Sequence, residues 1–319
     1  MPLLSDLPRD RFLPLPEGAD RACGFEIEFG GINVDDAACV ARDLLGGTID
    51  MRGVTATLKD TDLGSIEIYP DSAFASKLES YGLMPLVTGV VPVELVTEPL
   101  TEDQLTQFDA LCTALAAAGA TGTREGVFLG YGLHLNIALT SRKADDMARI
   151  ATAFALMDDS WRAAGAVDLS RRLTPFVSPF PRKLVDWLVA TPEPELVELR
   201  KAVLRHSATR NRALDLLPAI AALSDCEELV PGEKLKPRPA FHTRLPDARL
   251  GDDRWSVALE WNRWVMVEHV ANHTRLMPAL RKAWQRHRAD WFKFRAQWPR
   301  TFERLVSRHA PELRKLGAA

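Results

Sequence analysis

The segment CGFEIEFGG (23–31) alternates Phe25, Ile27 and Phe29 with Glu26 and Glu28. In an extended chain successive side chains point to opposite faces, so the apolar residues share one face and the two glutamates the other. Similar alternation marks VTATLK (54–59), SIEIYP (65–70), VPVELVTEP (91–99) and VFLGYGLHLNIAL (127–139), and each predicts a strand. Between them the period lengthens. A helix is predicted over about 35–45, and another in DQLTQFDALCTALAAAG, where Leu105, Phe108, Leu111, Cys112 and Leu115 fall on one stripe ending at Gly119.

Beyond residue 141 helical periodicity takes over, with Met147, Ile150, Phe154 and Met157 at its start. The proline-rich stretches 173–183 and 228–239 predict surface loops. RWSVALEWNRW (254–264) alternates again and predicts a last strand before closing helices. No internal repeat or low-complexity tract interrupts the pattern. The class expected is α+β: a mostly antiparallel sheet, a helical insertion over about 141–240 and C-terminal helices. An N-terminal extension (1–20), a main domain (21–280) and a basic C-terminal helical segment (281–319) are the expected divisions.

Composition narrows the setting. A chain of 319 residues that is 46% hydrophobic can bury a substantial core. Its first residues are broken by prolines and acids, unlike a secretory leader, and no apolar run reaches membrane length. Cys23, Cys39, Cys112 and Cys226 form no CxxC pair. A soluble protein of the reducing cytoplasm, with neither a zinc nor a disulfide framework, is expected.

Charge changes the picture further. Residues 281–319 hold 11 Lys and Arg against 3 acids, which leaves 29 basic and 40 acidic residues in the first 280. So acidic a body repels nucleotides unless bound cations or local arginines reverse the field, and metal is therefore expected. In the basic tail Trp284, Trp291, Phe292, Phe294 and Trp298 interleave with Arg and Lys. Such a pattern suits either a nucleic-acid surface or an amphipathic helix with its aromatics packed inward. The helix is the expectation, and no nucleic-acid or membrane partner is expected.

The strand faces carry the candidate chemistry. Glu26 and Glu28 crowd two like charges together, which a divalent cation, an arginine or a bound proton must relieve. By the same alternation Ser65, Glu67 and Tyr69 share a face, as do Glu94 and Glu98, His134 and Asn136, and Glu260 and Asn262. Neither GxxxxGK[ST] nor a strand-linked GxGxxG is present, so any phosphate has to be held without a glycine cradle.

In this order the segments resemble the amidoligase family and, behind it, the wider glutamine synthetase and glutamate-cysteine ligase fold. GFEIEFGG looks like the opening E-x-E strand. DLGSIEIYP resembles an Asp-Gly-Ser strand, with Leu63 displacing Asp62 by one position. VPVELVTEPL resembles a Glu-x-x-Ser-Pro-x-Leu strand, with Thr97 and Glu98 in place of a plain Ser. GLHLNIAL is similar to a strand bearing Gly-x-His-x-His or His-x-Asn.

The resemblance implies an ATP- and Mg²⁺-dependent carboxylate–amine ligase working through an acyl phosphate, with a small-molecule or peptide carboxylate, glutamate-like by family default, and an amine as partners. It implies that Glu26, Glu28 and Glu94 hold Mg²⁺, that Glu260 completes a metal site, and that His134 lies near the reacting phosphate. Glu67 and Asn136 join the nucleotide-binding face. The family's phosphate-steadying arginine, two residues after the late glutamate, is replaced by Asn262. Arg263 comes one position later and faces away on a regular strand, and Arg244, Arg249 and Arg254 are the substitutes. Competing readings are a phosphotransferase on the same sheet, a non-catalytic nucleotide- or nucleic-acid-binding protein, and an inactive relative. Oligomeric state stays open.

Overall fold

The computed structural model describes all residues except 1–2, 20, 72–90, 124–129, 166, 169–170, 172–176, 227, 232–234, 291–293 and 319. The alternating segments form strands. β1 (Cys23–Phe29) leads into α1 (Val34–Leu45), and the meander β2 (Thr48–Arg52), β3 (Thr55–Thr61) and β4 (Gly64–Pro70) follows. β5 (Val93–Thr97), α2 (Glu102–Ala117) and β6 (Leu133–Ala138) come next. A largely helical stretch holds α3 (Ala144–Ala163), α4 (Arg182–Ala190), α5 (Leu196–Ser207), β7 (Leu214–Asp215), α6 (Leu217–Ser224) and β8 (Ala240–Thr243). Four helices close the chain: α7 (Val257–Asn272), α8 (Leu276–Ala289), α9 (Trp298–His309) and α10 (Glu312–Ala318).

The eight strands lie in the order β2-β3-β4-β5-β1-β6-β8-β7, with every neighbouring pair antiparallel. With ten α-helices among the described residues, the class is α+β as expected. One face of the sheet is apolar. Phe25, Ile27, Leu95, Leu135 and Phe241 are wholly buried there, each contributing about 1.5–3 kcal/mol by leaving water. Phe108 of α2 stacks on Phe25 at 4.5 Å between ring centroids, and Trp264 of α7 lies 5.5 Å from Phe241. The stripe predicted for α2 is the buried one. α3 packs on α7, and α4 and α9 pack on α3, giving a second helical layer.

The strand expected over 254–264 is instead the beginning of α7. This helix is sandwiched between the sheet and α3, so Trp261, Trp264, Val265 and Val267 are buried all round it. A helix without a polar stripe hides its period, and the alternation of Val257, Leu259 and Trp261 imitates a strand. Ser256 starts it by accepting the Leu259 N–H at 3.0 Å.

Glu260 and Asn262 therefore share no sheet face. The Asn262 Oδ1 accepts the Leu13 N–H at 2.7 Å, and its Nδ2 donates to the carbonyls of Pro8 and Arg11, both at 2.9 Å. Together with buried Leu3, Leu4, Leu7 and Leu13, these bonds fasten the N-terminal segment to the body. Asn262→Ala strands those backbone groups at about 1–3 kcal/mol for each one left unmade. The expected loss in urea unfolding is at least ~2 kcal/mol, and a loss below ~0.5 kcal/mol would contradict the anchoring role.

Three strands were not predicted: β2, whose side chains are mostly exposed, and the very short β7 and β8. The segment 127–139 yields a strand only from Leu133, and its first residues lie outside the described part. In the basic tail Trp284 and Trp298 are buried edge to face, 4.9 Å between centroids, as expected of inward-packed aromatics, whereas Phe294 is exposed. Trp291 and Phe292 lie outside the described residues. Among the described residues no helix is long and apolar enough to cross a membrane.

Candidate functional site

Strand register gathers the polar face. Glu28 stands opposite Glu94 across β1 and β5, and Tyr69 opposite Glu94 across β4 and β5. Glu26 stands opposite His134 across β1 and β6, and Asn136 opposite His242 across β6 and β8. Directly opposed side chains on one face sit only ~5 Å apart. Four strands thus deliver carboxylates, imidazoles and an amide to one small area.

Hydrogen bonds order this cluster. Glu26 Oε2 lies 3.1 Å from His134 Nδ1, and Oε1 accepts from Asn136 Nδ2 at 2.9 Å and from Arg238 Nη1 at 3.1 Å. Asn136 Oδ1 accepts from Arg238 at 3.0 Å and lies 2.6 Å from His242 Nδ1. Arginine can only donate and an ionised carboxylate only accept, so the two ends of the Asn136 amide are fixed. His242 Nδ1 must then carry a proton. Burial first, and then the charge of Arg244, hold His242 well below the usual histidine range, so its ring is neutral and its Nε2 keeps a lone pair. That Nε2 is buried with no hydrogen-bond partner among the described residues.

Glu28 Oε2 accepts the Gly132 N–H at 2.8 Å, and its Oε1 lies 3.9 Å from His134 Nε2. A Cβ on Gly132 would come within 2.9 Å of that same Nε2, so glycine leaves the imidazole its place. Potential ligand atoms of Glu28, Glu94 and His134 all lie within 4.8 Å of one another, as do those of Glu26, His134 and His242. Two facing carboxylates beside an imidazole fit a divalent cation, which would relieve their repulsion.

Without a cation the repulsion shows in the protons. Glu94 is pushed up to about 8, by burial first and then by the charges of Glu28, Glu26 and Asp71. Glu26 goes the other way. Burial would raise it, but the His134 hydrogen bond and the Asn136 amide hold it well below the usual carboxylate range.

Folded Glu94 therefore keeps a proton that the unfolded chain releases near 4.5. Between 4.5 and about 8 the folded state binds more protons, so stability falls as pH rises through that window. Glu94→Gln cannot ionise. In EDTA it is expected to melt above the native protein at pH 8.5 and close to it at pH 5; equal differences at both pH values would refute the shift.

The structure thus brings together Glu26, Glu28, Glu94, His134 and Asn136. Arg244 lies on the same face of the sheet beyond His242; burial lowers it, while the charge of Asp215 first, and those of Glu26 and Glu28 after it, act the other way. Glu67, opposite Val96, is exposed on this face and belongs to neither ligand group. Glu260 is a correction: it is buried in α7, behind the sheet, where Arg263 Nη1 donates to it at 2.6 Å. Arg263 is therefore committed to Glu260, and exposed Arg254 is held by Asp252 ahead of α7 at 2.9 Å. Arg249 serves Asp247 at 2.9 Å and the Gly165 carbonyl.

Sequence reasoning missed His242 and Arg238. The one signal for His242 was PAFHTR, in which His242 and Arg244 alternate with Phe241 and Thr243. Four residues are too few to establish a period.

A family model described as "Putative amidoligase enzyme" matches residues 19–266, a span that contains the whole cluster. No curated protein matches the chain. Since the match covers well over half of its length, the chain belongs to the amidoligase family, whose description is that of a ligase-type enzyme.

Proposed function

We propose that the polar face is the active site of an ATP- and Mg²⁺-dependent carboxylate–amine ligase, on a sheet of the glutamine synthetase and glutamate-cysteine ligase type. One observation carries the reading: ligand atoms of Glu28, Glu94 and His134 lie within 4.8 Å of one another on the face that also bears Arg244. A divalent cation held by these three residues would neutralise charge on a triphosphate. Arg244 has a buried Nε with no hydrogen-bond partner among the described residues, so it offers an unspent cationic donor to a phosphoryl oxygen. Arg244 is one of the arginines that could take the part of the family's phosphate-steadying arginine, whose position holds Asn262 here.

A carboxylate is too poor an electrophile for an amine at neutral pH, and phosphorylation solves this. The substrate oxygen attacks the γ-phosphorus and ADP leaves; the amine nitrogen then attacks the acyl carbon and inorganic phosphate leaves. The protein's share is positioning and electrostatic stabilisation. His134 lies between Glu26 and Glu28, at 3.1 and 3.9 Å from their carboxylate oxygens, and takes the place beside the reacting phosphate that the family resemblance implies. His134→Ala is expected to slow acyl-phosphate formation by ~10²-fold, measured by hydroxamate trapping, with a smaller effect on ATP binding. An effect confined to binding would remove that role.

The reading is tested by screening amino acids and amines for Mg²⁺-dependent release of ADP or phosphate, followed by mass measurement of the product. An amide with stoichiometric ADP and phosphate supports it. A phosphorylated acceptor without amide would establish a phosphotransferase instead.

A further inference from the structure

We infer that the open edge of β2 is where a second copy of the chain docks, antiparallel and centred on Met51, so that two eight-stranded sheets join into one. This contact is independent of the activity proposed above. Among the described residues β2 pairs with β3 alone and ends the sheet. Sheet edges that must stay single are often blunted by a proline or a bulge. β2, with the sequence TIDMR, has no proline, and its register with β3 is regular over all five pairs. Bare apolar side chains gather here as well. Six large hydrophobic residues are exposed among the described ones, and three of them belong to β2 or its flanks: Leu44 in the last turn of α1, Met51, and Val54 in the turn to β3. Met51 stands opposite buried Ala56, which places it on the helix side of the sheet.

Backbone geometry limits the register. Gly53, at φ 63°, and Val54 form a two-residue turn, so Arg52 and Thr55 close the hairpin as a hydrogen-bonded pair. Hydrogen-bonded and non-hydrogen-bonded pairs alternate along an antiparallel ladder. Thr48, Asp50 and Arg52 therefore turn their backbone groups towards β3, whereas Ile49 and Met51 present theirs to the open side. A two-fold axis can then pass through either Met51 or Ile49. Charge decides between them. The axis through Met51 sets Asp50 of each copy opposite Arg52 of the other, in the closer, non-hydrogen-bonded position where side chains meet. The axis through Ile49 sets Asp50 opposite Thr48 and forms no ion pair. Within one chain Asp50 accepts from Lys59 at 2.9 Å and from Arg52 at 3.1 Å, and Arg52 is exposed, so it can exchange its own Asp50 for that of the other copy.

Sedimentation equilibrium of the full-length protein reads the association. The native chain is expected to be a dimer at micromolar concentration. Asp50→Arg sets like charges opposite each other on both sides of the axis and should weaken the dimer at least ~10-fold. Combining Asp50→Arg with Arg52→Asp restores the complementary order and should restore the dimer. Met51→Pro removes an N–H that points away from β3, so it should give a monomer whose circular dichroism and melting stay close to native.

A native protein that stays monomeric would overturn the inference. So would a dimer that persists in Met51→Pro, which places the contact elsewhere. A double reversal that fails to recover the association lost in Asp50→Arg would overturn the register centred on Met51.

Discussion

Glu28→Ala is expected to lower Mg²⁺-dependent ATP turnover by at least ~10²-fold while the protein stays folded. The size follows from losing one ligand of a cation whose charge stabilisation is worth several kcal/mol, at about 1.4 kcal/mol per decade of rate. Folding is spared because Glu28 has opposing effects on the native state. It accepts the Gly132 N–H, but its charge also helps to raise Glu94. Removing it gives up one hydrogen bond and relieves a carboxylate pair. The variant should therefore melt near the native temperature in EDTA, with Glu94 losing its proton at lower pH. Turnover unchanged in a folded Glu28→Ala protein would remove the residue from the mechanism.

Asp247→Ala is expected to be the most destabilising single change considered. Asp247 is fully buried and accepts from Arg171 Nη1 at 2.9 Å, Arg249 Nη2 at 2.9 Å and the Asp168 N–H at 2.6 Å. Its removal takes a shared buried counter-charge away from two guanidinium groups, a change that costs about 3–5 kcal/mol. The melting temperature should drop by roughly 10 °C in calorimetry. Activity should fall as well. Arg171 also donates to the carbonyls of Arg244, Leu245 and Pro246, and Asp247 bridges to Gly132, so the network frames the segments that carry Arg244 and His134. Asp247→Asn, which keeps an acceptor, should lose less. A cost below ~1 kcal/mol for the alanine variant would show that the arginines find other partners.

Much of the sheet was legible because it has one wet and one dry face. Where a strand lies between helices and the polar side, as β1, β4, β5 and β6 do, the alternation of Glu26, Glu67, Glu94 and His134 with Ile and Leu reports both the strand and its direction. The residues facing the site could therefore be listed. Which strands lie side by side could not, since the neighbours of β1 are set by the whole topology. The failure at α7 has the opposite cause: with both sides buried, Val257 to Trp264 carried no helical polar stripe, only an alternation that imitates a strand, and Glu260 was assigned to the wrong environment along with its helix. β8 was lost to brevity, and His242 with it. Arg238 lies on an irregular segment where no period exists, and only folding brings it over Glu26.

The place of β1 in the sheet has a consequence for how the protein is made. β1 leaves the ribosome well before its partners β5 and β6, and β8 is added later again. Closing such long loops costs entropy before any contact repays it, so assembly is slow. Until then Phe25, Ile27 and Phe29 form a bare apolar strip on the growing polypeptide, open to chaperones or to aggregation. The polar face is complete only once β8 has been translated and added beside β6.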